Sequence, residues 1–276
     1  MKKFSLMLVG ALFIGCNSQP QVKSIDVNTE LKILKKYNID KSKLLKFNNN
    51  YVFEILETDG TLNIYILDKN YNIVKKHTIK GVIEPKKLVV FKDKLYLLGY
   101  DQKENKPLVI TLDKNLNELN RKFYGQKFDT PRDILITKDG IIVGVTTYKN
   151  GNSIIKIIKN NTPHIFGISN QNTNINFIKS FKDGFIIGGE VQNETGNALI
   201  VCLDKNFKVL WLRDLDLGLE ENVKKLTIKD DLIITTILSQ NYTGMEEEWD
   251  IRIDKNGKVL TQNKNFTIND IPLQFK

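Results

Sequence analysis

Three features of the sequence predict an all-β fold assembled from like units. A strand closing in an Asp-Lys-Asn turn recurs, with Asp68, Asp113, Asp204 and Asp254 at the turn and a degenerate copy reaching Lys159 between them. The aligned positions are 45, 46, 45 and 50 residues apart. A second turn keeps the same beat, at 48–50, 92–94, 138–140, 182–184 and 229–231, each copy separating two apolar runs. Two turn signals sharing one period mark a repeat architecture. Asp, Asn and Gly suit both, because they supply local hydrogen bonds and tolerate positive φ. Third, each unit reads as four short runs of Ile, Val, Leu, Phe and Tyr bounded by turn residues. Four antiparallel strands every 45 or so residues are the content of one β-propeller blade, and radial stacking of blades removes long exposed edges.

The chain begins with two lysines, Lys2 and Lys3, then an apolar run from Leu6 to Ile14, then Gly15-Cys16-Asn17. A positive start, about ten apolar residues and a small residue at the end are the parts of an export signal. The run is too short to cross a bilayer, which takes about 20 apolar residues. Gly15-Cys16 resembles the lipobox of bacterial lipoproteins, with Phe13 where that family commonly has Leu. The resemblance implies that residues 1–15 are removed and that the Cys16 thiol is acylated. Acyl chains would hold the protein on a membrane surface, since each buried methylene contributes about 0.8 kcal/mol. Residues 16–24 then form the lipidated Cys and a polar tether, and 25–276 a single propeller domain. Asn17 after the lipid-bearing Cys would, by the same resemblance, allow outer-membrane delivery in a double-membrane cell.

The units follow in order. In the second, the strands are expected at 87–91, 95–100, 108–112 and 118–123; in the fourth, at 176–181, 185–190, 198–203 and 209–214. The second run of each unit is the most apolar, as in Ile141-Ile142-Val143-Gly144-Val145, and is expected to be buried on both faces. Gly99, Gly144, Gly188 and Gly189 recur there, pointing to close approach between neighbouring sheets. Val22 to Leu31 aligns with the strand and turn around Asp68, giving the last two strands of a blade. Residues 270–275 read as the opening strand of a unit. Joined, these ends make a sixth, composite, three-stranded blade; five blades plus an N-terminal hairpin is the alternative. The run Leu203-Asp204-Lys205-Asn206-Phe207-Lys208-Val209-Leu210-Trp211 resembles bacterial propeller repeats of the PQQ-like and related kinds. The paired Thr-Gly of the PQQ-like turn is missing, so no cofactor is implied.

The formal charge is +9 over 276 residues, or about +7 once Lys2 and Lys3 are removed. The lysines are scattered and form no dense run, so nucleic acid is not an expected partner. Such a diffuse positive surface reads as a solvated face that keeps the chain in solution, with attraction to anionic lipid or polyanions as the alternative. With Cys16 lipidated, Cys202 has no disulfide partner, and it lies in an apolar run as a small buried hydrophobe. His77 and His164 fall in different units without a second His or a carboxylate at ligand spacing, so neither a metal centre nor a triad is implied. The Asp-Lys-Asn turns lack the Gly and distal Glu of a calcium loop. No phosphate loop or nucleophile elbow occurs.

The informative irregularity is the fifth unit, whose connection 239–249 is expanded and carries Tyr242, Glu246, Glu247, Glu248 and Trp249. In a propeller this connection shares a face with the links between blades, here 124–132, 167–176 and 215–221, which carry Asp129, Arg132 and Asn174. Function on repeat scaffolds sits on such loops. The sequence therefore predicts a membrane-anchored scaffold of the cell envelope that presents one loop face to an envelope protein or a polysaccharide. Two alternatives stay open: a hydrolase or lyase acting on glycans, and an accessory factor in outer-membrane assembly, the last on fold analogy alone.

Overall fold

The computed structural model describes residues 44–168, 171–192, 196–240 and 243–260, together with the backbone of 267–269. The leader, Cys16, the tether and both segments assigned to a composite sixth blade lie outside the described residues. Blade A consists of β1 (Leu45–Phe47), β2 (Asn50–Leu56), β3 (Leu62–Leu67) and β4 (Ile73–Ile79). Blade B is β5 (Ile83–Phe91), β6 (Lys94–Asp101), β7 (Lys106–Leu112) and β8 (Glu118–Phe123). Blade C is β9 (Thr130–Thr137), β10 (Gly140–Lys149), β11 (Asn152–Lys159) and β12 (Thr162–Phe166). Blade D is β13 (Asn172–Phe181), β14 (Gly184–Gln192), β15 (Gly196–Leu203) and β16 (Val209–Asp216). Blade E is β17 (Glu220–Lys229), β18 (Leu232–Gln240) and β19 (Glu246–Ile253). Each blade is an antiparallel meander.

First strands touch the first strands of neighbouring blades, β5 with β9, β9 with β13 and β13 with β17, so they converge while the later strands splay outward. That is radial packing, and the fold is a β-propeller. The core is divided accordingly into slabs between neighbours. Val52, Ile64, Leu95 and Ile110 fill the A–B slab. Val143, Val145, Val109 and Ile134 lie between B and C, Ile157, Ile175 and Ile187 between C and D, and Ile200, Val223 and Ile237 between D and E. Each such side chain contributes about 1.5–3 kcal/mol on burial. The sequence places the deepest burial in the second strands. In blades A, B and D the third strands are more continuously covered, every residue of β3 and all but the first of β7 and β15 being buried. In blade C the second strand, β10, holds the longer buried run. A third strand is flanked on both edges by its own blade and on both faces by other residues of the core.

The Asp turns close the third strand onto the fourth. Asp68 Oδ1 accepts the amides of Asn70 and Asn72 at 2.8 and 2.9 Å, and Asp113 those of Asn115 and Asn117 at 2.7 and 2.8 Å. Asp204 and Asp254 repeat the pattern. The residue after Asn takes a left-handed conformation, with φ of 65°, 62°, 65° and 82° at Tyr71, Leu116, Phe207 and Gly257. A bulky side chain is rarely placed there. Packing offsets the strain: Leu116 is buried, and Phe207 stacks on Phe185 with ring centroids 4.8 Å apart. Blade C departs, turning through Asn160 and Asn161 alone, both at positive φ, as in a two-residue hairpin.

A β-bulge interrupts the first strand of four blades, leaving Lys86, Arg132, Asn176 and Lys224 out of register. It explains the glycines in two ways. Gly144 and Gly188 admit the next blade: an added Cβ would lie 2.7 Å from Ile175 and 3.0 Å from Val223, both from the following first strand. Gly99 and Gly189 instead admit their own blade, where a Cβ would lie 3.0 Å from the Glu84 carbonyl and 2.0 Å from the Asn174 carbonyl. Asp133, just past the bulge in β9, ties three blades together: it pairs with Lys87 of blade B and accepts the Ile178 amide of blade D at 2.8 Å.

Two expectations are corrected. The links 124–132, 167–176 and 215–221 are shorter than the sequence indicated, because β9 starts at Thr130, β13 at Asn172 and β17 at Glu220, and β16 runs to Asp216. The bulge shifts the alternation of apolar residues by one, which hides the continuation of the strand. In blade E the fourth strand is reduced, among the described residues, to a bridge between Ile253 and Val259. Beyond it, β20 (Thr267–Asn269) pairs with β16, Leu215 opposite Ile268, and covers the outer edge of blade D.

Candidate functional site

The meanders give each blade two unlike ends. At one lie the hairpins between first and second strands and the Asp turns. At the other, here the loop face, lie the links between blades and the connections from second to third strands. The register brings the sequence-predicted residues to the loop face: Asp129 precedes β9, Asn174 pairs across from Glu190 near the start of β13, and Glu246 pairs across from Gln240 at the start of β19. Tyr242 lies outside the described residues.

Their side chains are used differently than a projecting surface would need. Asp129 is buried and pairs with the equally buried Lys156 at 2.7 Å, while its Oδ2 also accepts the Gln126 amide at 2.7 Å. Arg132, the bulged residue, donates from Nε to the Thr146 hydroxyl at 3.1 Å. Asn174 is buried and donates to Glu190 at 2.8 Å. Trp249 turns inward against the D–E slab rather than standing exposed. The reason is its register: it pairs with Ile237, directly opposite a core position. Glu246, Glu247 and Glu248 are exposed, and Glu248 pairs with the bulge residue Lys224, which raises the Lys224 pKa above its ordinary value.

The ladder of residues beside the bulge shows where the repeat rule is broken. In blade B it runs Pro85, Gly99, Leu108; in D, Ile175, Gly189, Leu199; in E, Val223, Ile237, Trp249. In blade C it runs Pro131, Val145, Lys156. A lysine thus stands where the other three blades place an apolar side chain. It needs a buried counter-charge, and Asp129 provides it, since an unpaired buried ammonium is strongly destabilising. Beside this pair the outer parts of blades B and C separate into a cleft of about 480 Å³. Lys122 and Phe123 from β8 and Tyr148 and Lys149 from the end of β10 line it, with Lys156 among its lining residues. Gly125 has φ of 80°, and an added Cβ would lie 2.3 Å from Asp129 Oδ2, so the turn and the ion pair fit one another. Sequence reasoning found Asp129 but missed Lys156, whose signal was a single charge inside the run Ile154 to Ile158.

A second polar cluster sits between blades D and E. Glu221 is buried; its Oε1 accepts the Ser239 hydroxyl at 3.2 Å, and Oε2 has no hydrogen-bond partner. Its carboxyl is pushed up to about 7, first by burial and in smaller part by Asp216 and Asp214. Among the described residues no three His, Cys, Asp or Glu side chains are gathered as metal ligands. His164 stacks on Phe207 at 4.3 Å, and burial lowers its pKa. Cys202 is buried in the D–E slab, and burial pushes its thiol up to about 11, which suits a packing role and not a nucleophile.

No family model matches the sequence, and no curated protein matches it significantly. Among solved structures, a puromycin hydrolase superposes with a TM-score of 0.52 at 11% identity, over 82% of this chain and 37% of that one. The β-propeller domain of the Trilobed protease from Pyrococcus furiosus gives 0.39 at 11% identity, over 78% and 79% of the two chains. An α-L-arabinofuranosidase from Lactobacillus brevis gives 0.42 at 11% identity, over 85% and 95%. This chain spans little more than a third of the length of the puromycin hydrolase. At such identities the likeness is one of fold. The blade geometry itself shows that the chain is a β-propeller.

Proposed function

We propose that this propeller is a lipid-anchored scaffold of the cell envelope, whose loop face binds an envelope protein or polymer. The observation that carries the reading is the contrast between its two ends. Four blades close the turn face with the same Asp-centred hydrogen bonds, whereas the loop face differs from blade to blade, in the cleft beside blade C and in the acidic start of β19. A uniform end maintains the fold, and a varied end is where recognition accumulates on repeat scaffolds. Anchoring is supported by Gly15-Cys16 after a short apolar run.

The test is an affinity purification of the tagged full chain from crosslinked cells, with membranes separated by sedimentation. The Cys16→Ala variant is expected to leave the membrane pellet. Deletion of residues 242–248, which removes the first three residues of β19, is expected to leave the chain folded and in the pellet with a lowered melting temperature, and to remove or weaken captured components. Full membrane retention of Cys16→Ala counts against the anchor, and unchanged capture by the deletion variant counts against that loop.

A further inference from the structure

The cleft between blades B and C combines charge and aromatic surface, and it runs from the ends of β8 and β10 on the loop face along the outer strands to Asn161 in the β11–β12 turn. Lys122 and Lys149 contribute ammonium groups from opposite blades. Among the described residues no carboxylate pairs with either of them. The third lysine, Lys156, is neutralised by Asp129, so the floor is electrically balanced and the rim positive. Lys122 lies over the Tyr124 ring, 5.4 Å from its centroid, and two further rings line the cleft: Tyr148 is 68% exposed and Phe123 39% exposed. Exposed rings of this size beside basic groups are surface that water alone does not favour.

We propose that this cleft binds an acidic glycan, a short run of sugars carrying carboxylate groups. The choice of glycan rests on the reading of the chain as an envelope scaffold; the charge and shape of the cleft do not. The apolar C–H face of a sugar ring packs on an exposed aromatic ring, as other apolar surfaces do. A carboxylate on the same sugar meets an ammonium group in a charge-assisted hydrogen bond. The volume of about 480 Å³ lies within the span of about 300–1,000 Å³ typical of ligand clefts.

The wall is set in advance of binding. Asp129 fixes the turn through the Gln126 amide, and the Phe128 and Tyr124 amides donate to the carbonyls of Asn105 and Pro107 at 2.8 and 2.9 Å. Little ordering remains to oppose association. This gives the buried Lys156–Asp129 pair a role beyond packing: it is a positioning pair that opens the B–C seam, where the other blades close theirs with leucine or tryptophan.

The test is calorimetric titration of the detergent-solubilised full chain with trigalacturonate, with neutral maltotriose and hexaglutamate as comparisons. Trigalacturonate is expected to bind at least about tenfold more tightly than either. Its affinity is expected to fall as salt rises from about 50 to about 500 mM, because the ammonium groups are at the surface. The double variant Lys122→Ala, Lys149→Ala is expected to weaken it about tenfold, and Tyr148→Ala about fivefold, with melting temperatures unchanged because these side chains are outside the core. No measurable binding of trigalacturonate, binding indifferent to both variants, or hexaglutamate binding as tightly overturns the assignment. These affinities do not depend on Cys16, so failure of the anchor and failure of the cleft are read separately.

Discussion

Glu221 shows how a single residue carries a pH dependence in this fold. Burial raises its carboxyl to about 7, and the Ser239 hydroxyl and Leu217 amide offset part of that effect. The fold therefore favours the protonated form, and the stability linked to it is full below the ordinary glutamate value. It is lost as pH rises from about 4.5 through about 7. Glu221→Gln keeps a neutral side chain at every pH. It is expected to match the parent at pH 4.5 and to be more stable at pH 8 by on the order of 2–3 kcal/mol in denaturant unfolding. Equal stability at both pH values contradicts the burial argument. Cys202 was legible because its whole neighbourhood is apolar, and its position in the D–E slab follows. Lys156 was visible as a charge in an apolar run, but its partner lies 27 residues away, in the link that precedes β9. The sequence leaves Trp249 either exposed beside three glutamates or folded inward at the start of a strand; alternation against Ile237 turns it inward.

At the scale of the strand, the bulges decide what each glycine must tolerate. In Gly189→Ala the new methyl would sit 2.0 Å from a backbone carbonyl, so β13 and β14 must part. A loss of about 3 kcal/mol or more is expected, at the upper end of overpacking costs and read as a lowered denaturation midpoint. In Gly144→Ala the contact at 2.7 Å is with Cδ1 of Ile175, the far end of a side chain that can turn aside. The expected cost is about 1 kcal/mol, in the range of mild overpacking. A reversed order of the two variants contradicts the assignment of these glycines to different neighbours. Strand cores are legible in the sequence: β8 spans the expected residues, and β7 and β15 extend the expected ones by two at their starts. The ends are not, because the bulges at Lys86, Arg132, Asn176 and Lys224 break the two-residue alternation that marks a strand. That the fourth strand of blade E comes down, among the described residues, to one bridge at Val259 is equally hidden, since Val259 and Leu260 resemble an ordinary strand locally.

Across the whole molecule, the period of the turns specifies radial stacking, because like units with apolar faces bury them only against one another. The same period locates the exceptions. Blade C replaces the Asp turn by an Asn-Asn hairpin and a core leucine by lysine, and blade E starts β19 with three glutamates. The expansion expected at 239–249 is taken up by β18 and β19, since the connection left between them, 241–245, is no longer than 57–61 of blade A. The first exception could not be read as a cleft from the sequence, since its walls come from two blades. Recognition is assigned to the varied end of the propeller and not to the uniform end. Site-specific photo-crosslinking in intact cells separates the two, with a photoreactive amino acid replacing Tyr148 or Glu247 on the loop face, or Lys69, Lys114 or Lys205 in the Asp turns. Adducts are expected from Tyr148 or Glu247 and not from the three lysine positions. Adducts formed at the Asp turns, with none at either loop-face position, contradict that assignment.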